Sequence, residues 1–301
     1  MNIYAYWDQP AHIPAYLQLY ITIWRRHDSI DEVYLISADN LHEWIGEGVL
    51  NMTVLQAYPI AQRKDAIEIA ILARYGGLFV DIDTLCTAPL RKLQEALSNY
   101  DIALYGFHMA AVVAQRDSAI VARWLALLQQ TLTLSREQLM SATGLDHTAL
   151  GNYCFELLRN ELAAGVRSVP GEVLPQFTRL HRKLQRYRLL KSQRQRYILQ
   201  LDPDKNGYIV ERNHRRRDPL SARERYRAFW FSESLPLSAA ADNAGALIAL
   251  HRSWTPVAYS RLGFGELDQN RTLLSRYQRS LLGGLAEGDL AVFNRHKPEE
   301  I

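Results

Sequence analysis

Short apolar runs alternate with helix-spaced apolar stripes along the first half of the chain. Asn2–Trp7 predicts a strand, and Ile13-Pro14 opens a helix with apolar residues at Leu17, Tyr20, Ile21 and Trp24. Proline is tolerated in that first turn because its missing N–H would have no partner there anyway. Asp31–Ser37 predicts a second strand and Leu41–Gly46 a short helix. Gln62–Tyr75 has helical spacing, and Gly76-Gly77 supplies the left-handed stop that helix ends favour. Leu78–Thr84 predicts a third strand, Asp101–Gly106 and Ala110–Ala114 two more, and Ser118–Leu132 and Thr148–Ala163 helices. Further on, His181–Leu201 predicts a helix, Ala246–His251 a strand and Arg271–Leu285 an amphipathic helix.

Strands that alternate with helices predict an α/β sheet covered by helices. Ligands of such sheets sit at the carboxyl ends of the strands, where Asp81 and Asp83 fall. Composition is ordinary for a globular chain: 301 residues, 48% hydrophobic and 22% charged, which excludes collagen-like, disordered and disulfide-scaffold classes. The two cysteines, Cys86 and Cys154, have no metal-knuckle spacing and read as reduced thiols of a cytosolic protein. The N-terminus lacks the basic start and apolar run of a signal peptide. The most apolar stretch, Ala66–Val80, is interrupted by Glu68, Arg74 and two glycines, short of the roughly 20 apolar residues that span a bilayer. The expectation is a cytoplasmic protein, soluble or lying on the inner face of a membrane.

Net charge, +3, conceals a polarised chain. Between Arg179 and Arg227 there are 16 Lys/Arg against 5 Asp/Glu, whereas the remaining residues hold 19 against 27. A block of this sign predicts an anionic partner: lipid head groups, nucleic acid or a charged glycan. The alternative is a solvated charged helix.

In Leu78-Phe79-Val80-Asp81-Ile82-Asp83 the strand period of two puts Phe79, Asp81 and Asp83 on one face. Two carboxylates side by side repel each other and lose hydration, and a divalent cation offsets both costs. Oxygen ligands suit Mg²⁺ or Mn²⁺. The alternative is a strand leaving the core with solvated aspartates.

The stretch Asp65 to Asp83, with Tyr75-Gly76-Gly77 before the strand and Pro89-Leu90 after it, resembles the DXD region of GT-A-fold glycosyltransferases. The likeness is to the capsular-polysaccharide-synthesis and DXD-sugar-binding families related to glycosyltransferase family 32. Ile3–Trp7 with Ile13-Pro14 resembles their first strand and helix, His251-Arg252-Ser253-Trp254 their C-terminal His-x-Ser-Trp segment, and Thr143-Gly144-Leu145 their Thr-Gly-Pro turn with Leu145 in place of proline. The resemblance implies a GT-A-like, Rossmann-type nucleotide-binding sheet with flanking helices and a basic helical insertion. The catalytic domain would span 1–265, including 179–227, and 266–301 would be a peripheral helical extension.

It further implies a metal-dependent glycosyltransferase, of the hexosyl-transferring type and retaining. The donor would be a nucleotide-diphosphate sugar, UDP-linked by preference. The acceptor would be a glycan or lipid-linked species of bacterial surface polysaccharide synthesis (capsule, O-antigen or lipopolysaccharide). Asp83 would bind Mn²⁺ or Mg²⁺, Asp81 would contact the metal or the ribose, and His251 would complete the protein's ligands. Asp65 would lie near the nucleotide and Trp7 would border the base, while Asp146, His147 and Trp254 would serve sugar or acceptor recognition. No residue announces itself as catalytic base or nucleophile. Structural alternatives are a core position for Trp7, a satisfied core histidine at His251 and a helix N-cap at Asp146. Where the family usually has arginine three residues after the helix-opening aspartate, this chain has Glu68. Arg63, Lys64 or Arg74 are candidate substitutes, and a solvated helix face is the alternative for Glu68.

Three rival readings remain. Leu78–Leu85 is also similar to the first motif of haloacid-dehalogenase-type phosphatases, with Asp81 as nucleophile; no later acidic pair accompanies it. The basic block, with Tyr187, Tyr197, Tyr208 and Tyr226 among its arginines, suits single-stranded nucleic acid, although no recognised nucleic-acid fold motif is present. An inactive sugar-binding relative is the third.

Overall fold

A computed structural model of the chain describes residues 1–86, 90, 94–95, 100–105, 108–143, 149–164, 198–201, 228–237, 247–250 and 255–283. The elements follow the expected alternation: β1 (Ile3–Tyr6), α1 (Ala15–Arg25), β2 (Val33–Ile36), α2 (Leu41–Ile45), α3 (Met52–Leu55), α4 (Ile60–Tyr75) and β3 (Gly77–Val80). Then come β4 (Thr84–Cys86), β5 (Ile102–Tyr105), β6 (His108–Ala114), α5 (Ala119–Thr131), α6 (Arg136–Thr143), α7 (Ala149–Ala164) and β7 (Ile198–Leu201). The chain closes with β8 (Leu247–Ala249), α8 (Val257–Ser260), α9 (Phe264–Gln269) and α10 (Leu273–Leu282).

The larger sheet has the order β2-β1-β3-β6-β5-β7, and β4 and β8 form a separate two-stranded sheet. β1 and β2 are parallel, with Ile3 opposite Val33, as expected of strands joined through a helix. β5 and β6 are an antiparallel hairpin with a register shift at Leu104/Tyr105. The expected α/β class is borne out.

The chain divides into two compact units. One holds residues 1–38, 80–94 and 201–301, and the other 39–79 and 95–200. In the first, β1 and β2 are buried along their whole length, and α1 is buried nearly all round, without a break from Leu19 to Trp24. Edge-to-face ring contacts link Tyr16, Trp230 and Tyr259 at centroid distances of 4.9–6.2 Å. Helix α10 belongs to this unit: Leu273, Leu274 and Tyr277 are buried and Gln278 Nε2 donates to Tyr16 O.

In the second unit α4 carries almost nothing but buried residues from Asp65 to Leu72, and packs with α5 and α7. Gly76 ends it with φ 63°. A side chain there would be excluded twice over, since a Cβ would also stand 2.4 Å from the Arg116 backbone N.

Two expectations need correction. The strand foreseen over Leu78–Thr84 stops at Val80, and a turn separates it from β4. The helix foreseen over His181–Leu201 is contradicted at its end, where Ile198–Leu201 is the edge strand β7. The rest of that helix, and most of the basic block 179–227, lies outside the described residues.

Candidate donor and metal site

Asp81, Ile82 and Asp83 occupy a tight turn in the first unit. The Thr84 N–H donates to Asp81 O at 2.9 Å, closing the turn. Ile82, at 5% exposure, is the residue driven inward, and the two aspartates flank it. The alternation that predicts both carboxylates on one strand face therefore does not apply, because a turn breaks the strand's period. Apolar Leu78, Val80 and Ile82 continue the strand pattern across this break, and that is why sequence alone places no turn here. The two carboxylates are carried one residue apart on a four-residue turn closed by its backbone.

Backbone contacts from distant segments hold the turn. Thr84, Leu85 and Cys86 pair antiparallel with Ala249, Ile248 and Leu247, and Leu250 N donates to Asp83 O at 3.0 Å. On the other side the Trp24 indole Nε1 donates to Thr84 O at 2.9 Å. Asp83 is 9% exposed and Asp81 is more open. Two carboxylates on one fixed turn suit a hard divalent cation that takes its remaining oxygens from water or a diphosphate. Among the described residues no three His, Cys, Asp or Glu side chains converge on a common point. The foreseen third ligand, His251, follows Leu250 directly in sequence but lies outside the described residues, as do Trp254, Asp146 and His147.

Trp7 is the residue after β1, with its N–H donating to Ile36 O at 2.9 Å and its side chain part-exposed. β1 and β3 are neighbours in the sheet order, so Trp7 and Asp81 each follow the last residue of adjacent strands. That is the strand end at which α/β sheets bind ligands.

Asp65 belongs to the second unit, in α4, and is part of a buried charge cluster. Lys64 Nζ stands 2.9 Å from Asp65 Oδ1, 3.1 Å from Glu68 Oε2 and 2.9 Å from Met109 O. Glu68 is fully buried, which corrects the alternative of a solvated helix face. A buried carboxylate needs a partner charge, and Lys64, four residues earlier on the same helix, provides it. The i,i+4 pair was the signal available in the sequence. Of the other candidate substitutes for the missing arginine, Arg74 donates to Trp44 O at 3.0 Å and lies 5.4 Å over the Tyr75 ring.

One contact had no sequence signal. Gly151, in the first turn of α7, faces the Asp65 carboxylate so closely that a Cβ would lie 2.4 Å from Oδ2. The two thiols offer no nucleophile. Burial pushes Cys86 far up, and pushes Cys154 up to about 12 despite a hydrogen bond from its thiol to Thr131 Oγ1.

Residues 14–101 match the model of a family described as "Glycosyltransferase sugar-binding region containing DXD motif". This span includes α4, β3 and the Asp81–Asp83 turn. Among solved structures, the chain is similar to the PaToxG glycosyltransferase at 15% identity, covering 64% of this chain and 76% of that one with a TM-score of 0.39. It is also similar to the glycosyltransferase GlyE of Streptococcus pneumoniae TIGR4 at 14% identity, covering 93% of this chain and 64% of that one with a TM-score of 0.40. The chain therefore spans less than two thirds of GlyE's length. No curated protein matches it.

Proposed function

We propose that this DXD-containing, glycosyltransferase-like protein moves a glycosyl group from a nucleotide-diphosphate sugar, UDP-linked by preference, to a hydroxyl of a glycan or lipid-linked acceptor. The observation that carries the reading is the Asp81–Asp83 turn, which lies within the residues that match the family and is held by backbone contacts from a distant strand. The bond between the sugar's anomeric carbon and the diphosphate oxygen breaks, and a bond from that carbon to the acceptor oxygen forms. The acceptor's proton passes to the departing phosphate, with retention of anomeric configuration. A divalent cation, Mn²⁺ or Mg²⁺, supplies Lewis-acid stabilisation of the departing diphosphate when bound.

Asp83 and Asp81 would hold that cation, with His251 as the third protein ligand. Asp81 also has the alternative of accepting from a ribose hydroxyl. Trp7, at the end of β1, offers a ring against the base, and Asp65 accepts from the donor. Trp254, Asp146 and His147 are assigned to sugar or acceptor recognition. The basic block 179–227 suits an anionic leaflet carrying a lipid-linked acceptor, consistent with a place in bacterial surface polysaccharide synthesis. No helix among the described residues is long and apolar enough to cross a membrane.

The test is a thermal-shift panel of UDP-, GDP-, CMP- and dTDP-sugars with and without Mn²⁺. A ligand that binds only the folded state raises its apparent stability by mass action. A Mn²⁺-dependent shift with one nucleotide class, lost in Asp83→Ala, is expected. Equal shifts in wild type and variant would remove Asp83 from the site. Liposome flotation with and without anionic lipid tests the membrane assignment; binding that ignores lipid charge counts against it.

A further inference from the structure

We propose that Lys64 and Gly151 are positioning residues for the donor, which together fix the Asp65 carboxylate in one orientation. The inference rests on the reading above in which Asp65 contacts the donor.

Neighbouring residues on a helix point away from each other, so a lysine does not ordinarily reach the aspartate beside it. Lys64 does so here because two other acceptors bend its chain to that side. Glu68 Oε2 and Met109 O lie 3.1 and 2.9 Å from Nζ, and Asp65 Oδ1 completes the set at 2.9 Å. The lysine side chain is 13% exposed, the aspartate 12% and the glutamate 0%, so water does not loosen the arrangement. Glu68 thereby has a purpose that a lone buried carboxylate lacks: it holds Lys64 over Asp65.

The second oxygen is governed by Gly151. An added Cβ would stand 2.4 Å from Oδ2, 2.8 Å from Cγ and 3.0 Å from the Asp65 Cβ. Contacts under 3 Å force something to move, and the short aspartate side chain has no flexible end with which to yield. Glycine is among the poorest helix formers, so the preference of α7 for helix does not account for it. The clearance for the carboxylate does. One oxygen is tethered by charge and the other occupies the clearance that the missing side chain leaves.

The experiment measures donor affinity by calorimetry with UDP-, GDP- and dTDP-glucose, each with Mn²⁺, and ligand-free melting temperature alongside. The variants are Gly151→Ala, Asp65→Ala and the double change Lys64→Met/Glu68→Leu, which replaces a buried ion pair with an apolar pair and so keeps the fold. Gly151→Ala and the double variant are each expected to weaken binding roughly tenfold, with the double variant's melting temperature close to wild type. Added to Asp65→Ala, both are expected to cost nothing more, because they act through that carboxylate.

Wild-type affinity in Lys64→Met/Glu68→Leu would mean that Lys64 only neutralises Glu68, and would overturn the proposal. A further tenfold loss on top of Asp65→Ala would overturn it as well. Wild-type affinity in Asp65→Ala removes both this inference and the donor role of Asp65, while leaving the Asp83 test intact. Absence of binding by wild type to all three nucleotides overturns it outright.

Discussion

Two acidic pairs, Asp81/Asp83 and Asp65/Glu68, are built into this protein by opposite means. The first sits on a turn whose own backbone atoms take the contacts that set its position: Thr84 N to Asp81 O, Leu250 N to Asp83 O, and Thr84 O accepting from the Trp24 side chain. The second sits on a helix and is organised through side chains, around the ammonium of Lys64. A pair fixed by its backbone keeps its geometry whatever its carboxylates bind. A pair fixed by an internal cation is already neutralised in part and offers orientation in place of charge. The first arrangement suits an exchangeable cation, and the second suits the holding of one carboxylate at one angle.

The largest effect that would break this contrast is on turnover. Asp83→Asn is expected to lower metal-dependent donor turnover by about 10³-fold or more, with the fold retained, because the backbone contacts of the turn do not need the charge. A loss of fold in place of activity, seen by circular dichroism, would show that the carboxylate organises the turn. Next comes Lys64→Met alone. It strands a fully buried carboxylate and is expected to destabilise by about 3–5 kcal/mol in urea unfolding, most of which Glu68→Leu restores. Trp24→Phe removes the donor to Thr84 O and part of a buried ring, at a cost of about 1–2 kcal/mol, with weakened Mn²⁺-dependent donor binding as the accompanying sign.

The smallest effect concerns pH. Burial holds His27 below its ordinary value of 6.5, against weaker upward pulls from the Cys86 backbone and Asp28. The unfolded chain therefore takes up the proton first as pH falls, so this part of the stability is full above 6.5 and declines below it. Urea midpoints between pH 7.5 and 5.5 should fall less steeply in His27→Gln than in wild type.

Much of the fold was legible because periodicity reports burial directly. β1, β2, α1, α4 and α5 fall where the apolar spacing puts them, and Gly76 marks its helix end for the reason its conformation requires. The turn at Asp81 was not legible, since its apolar residues carry the strand alternation past the point where the chain bends. β7 stands where the sequence predicts the end of a helix, because four residues at a sheet edge leave too short a pattern to contradict the arginine-rich stretch before them. In the site, the acidic motif could be named from local spacing, whereas Asp65 was singled out only by the family resemblance. The burial of Glu68 was signalled only by Lys64 four positions earlier. Gly151 could not be found at all, because its meaning is a clearance between two helices that meet only after folding.

The hydrogen bond from Leu250 to Asp83 sets an order in time. Synthesis delivers the acidic turn early and its β8 partner late, so a nascent chain still on the ribosome has the motif without the strand that secures it. Contacts between such distant positions form slowly, because a long loop must close first. Competence to grip a ligand is thus deferred until the chain has emerged past Leu250, and a premature stop before β8 would yield a product carrying the signature residues without the strand that sets them in place.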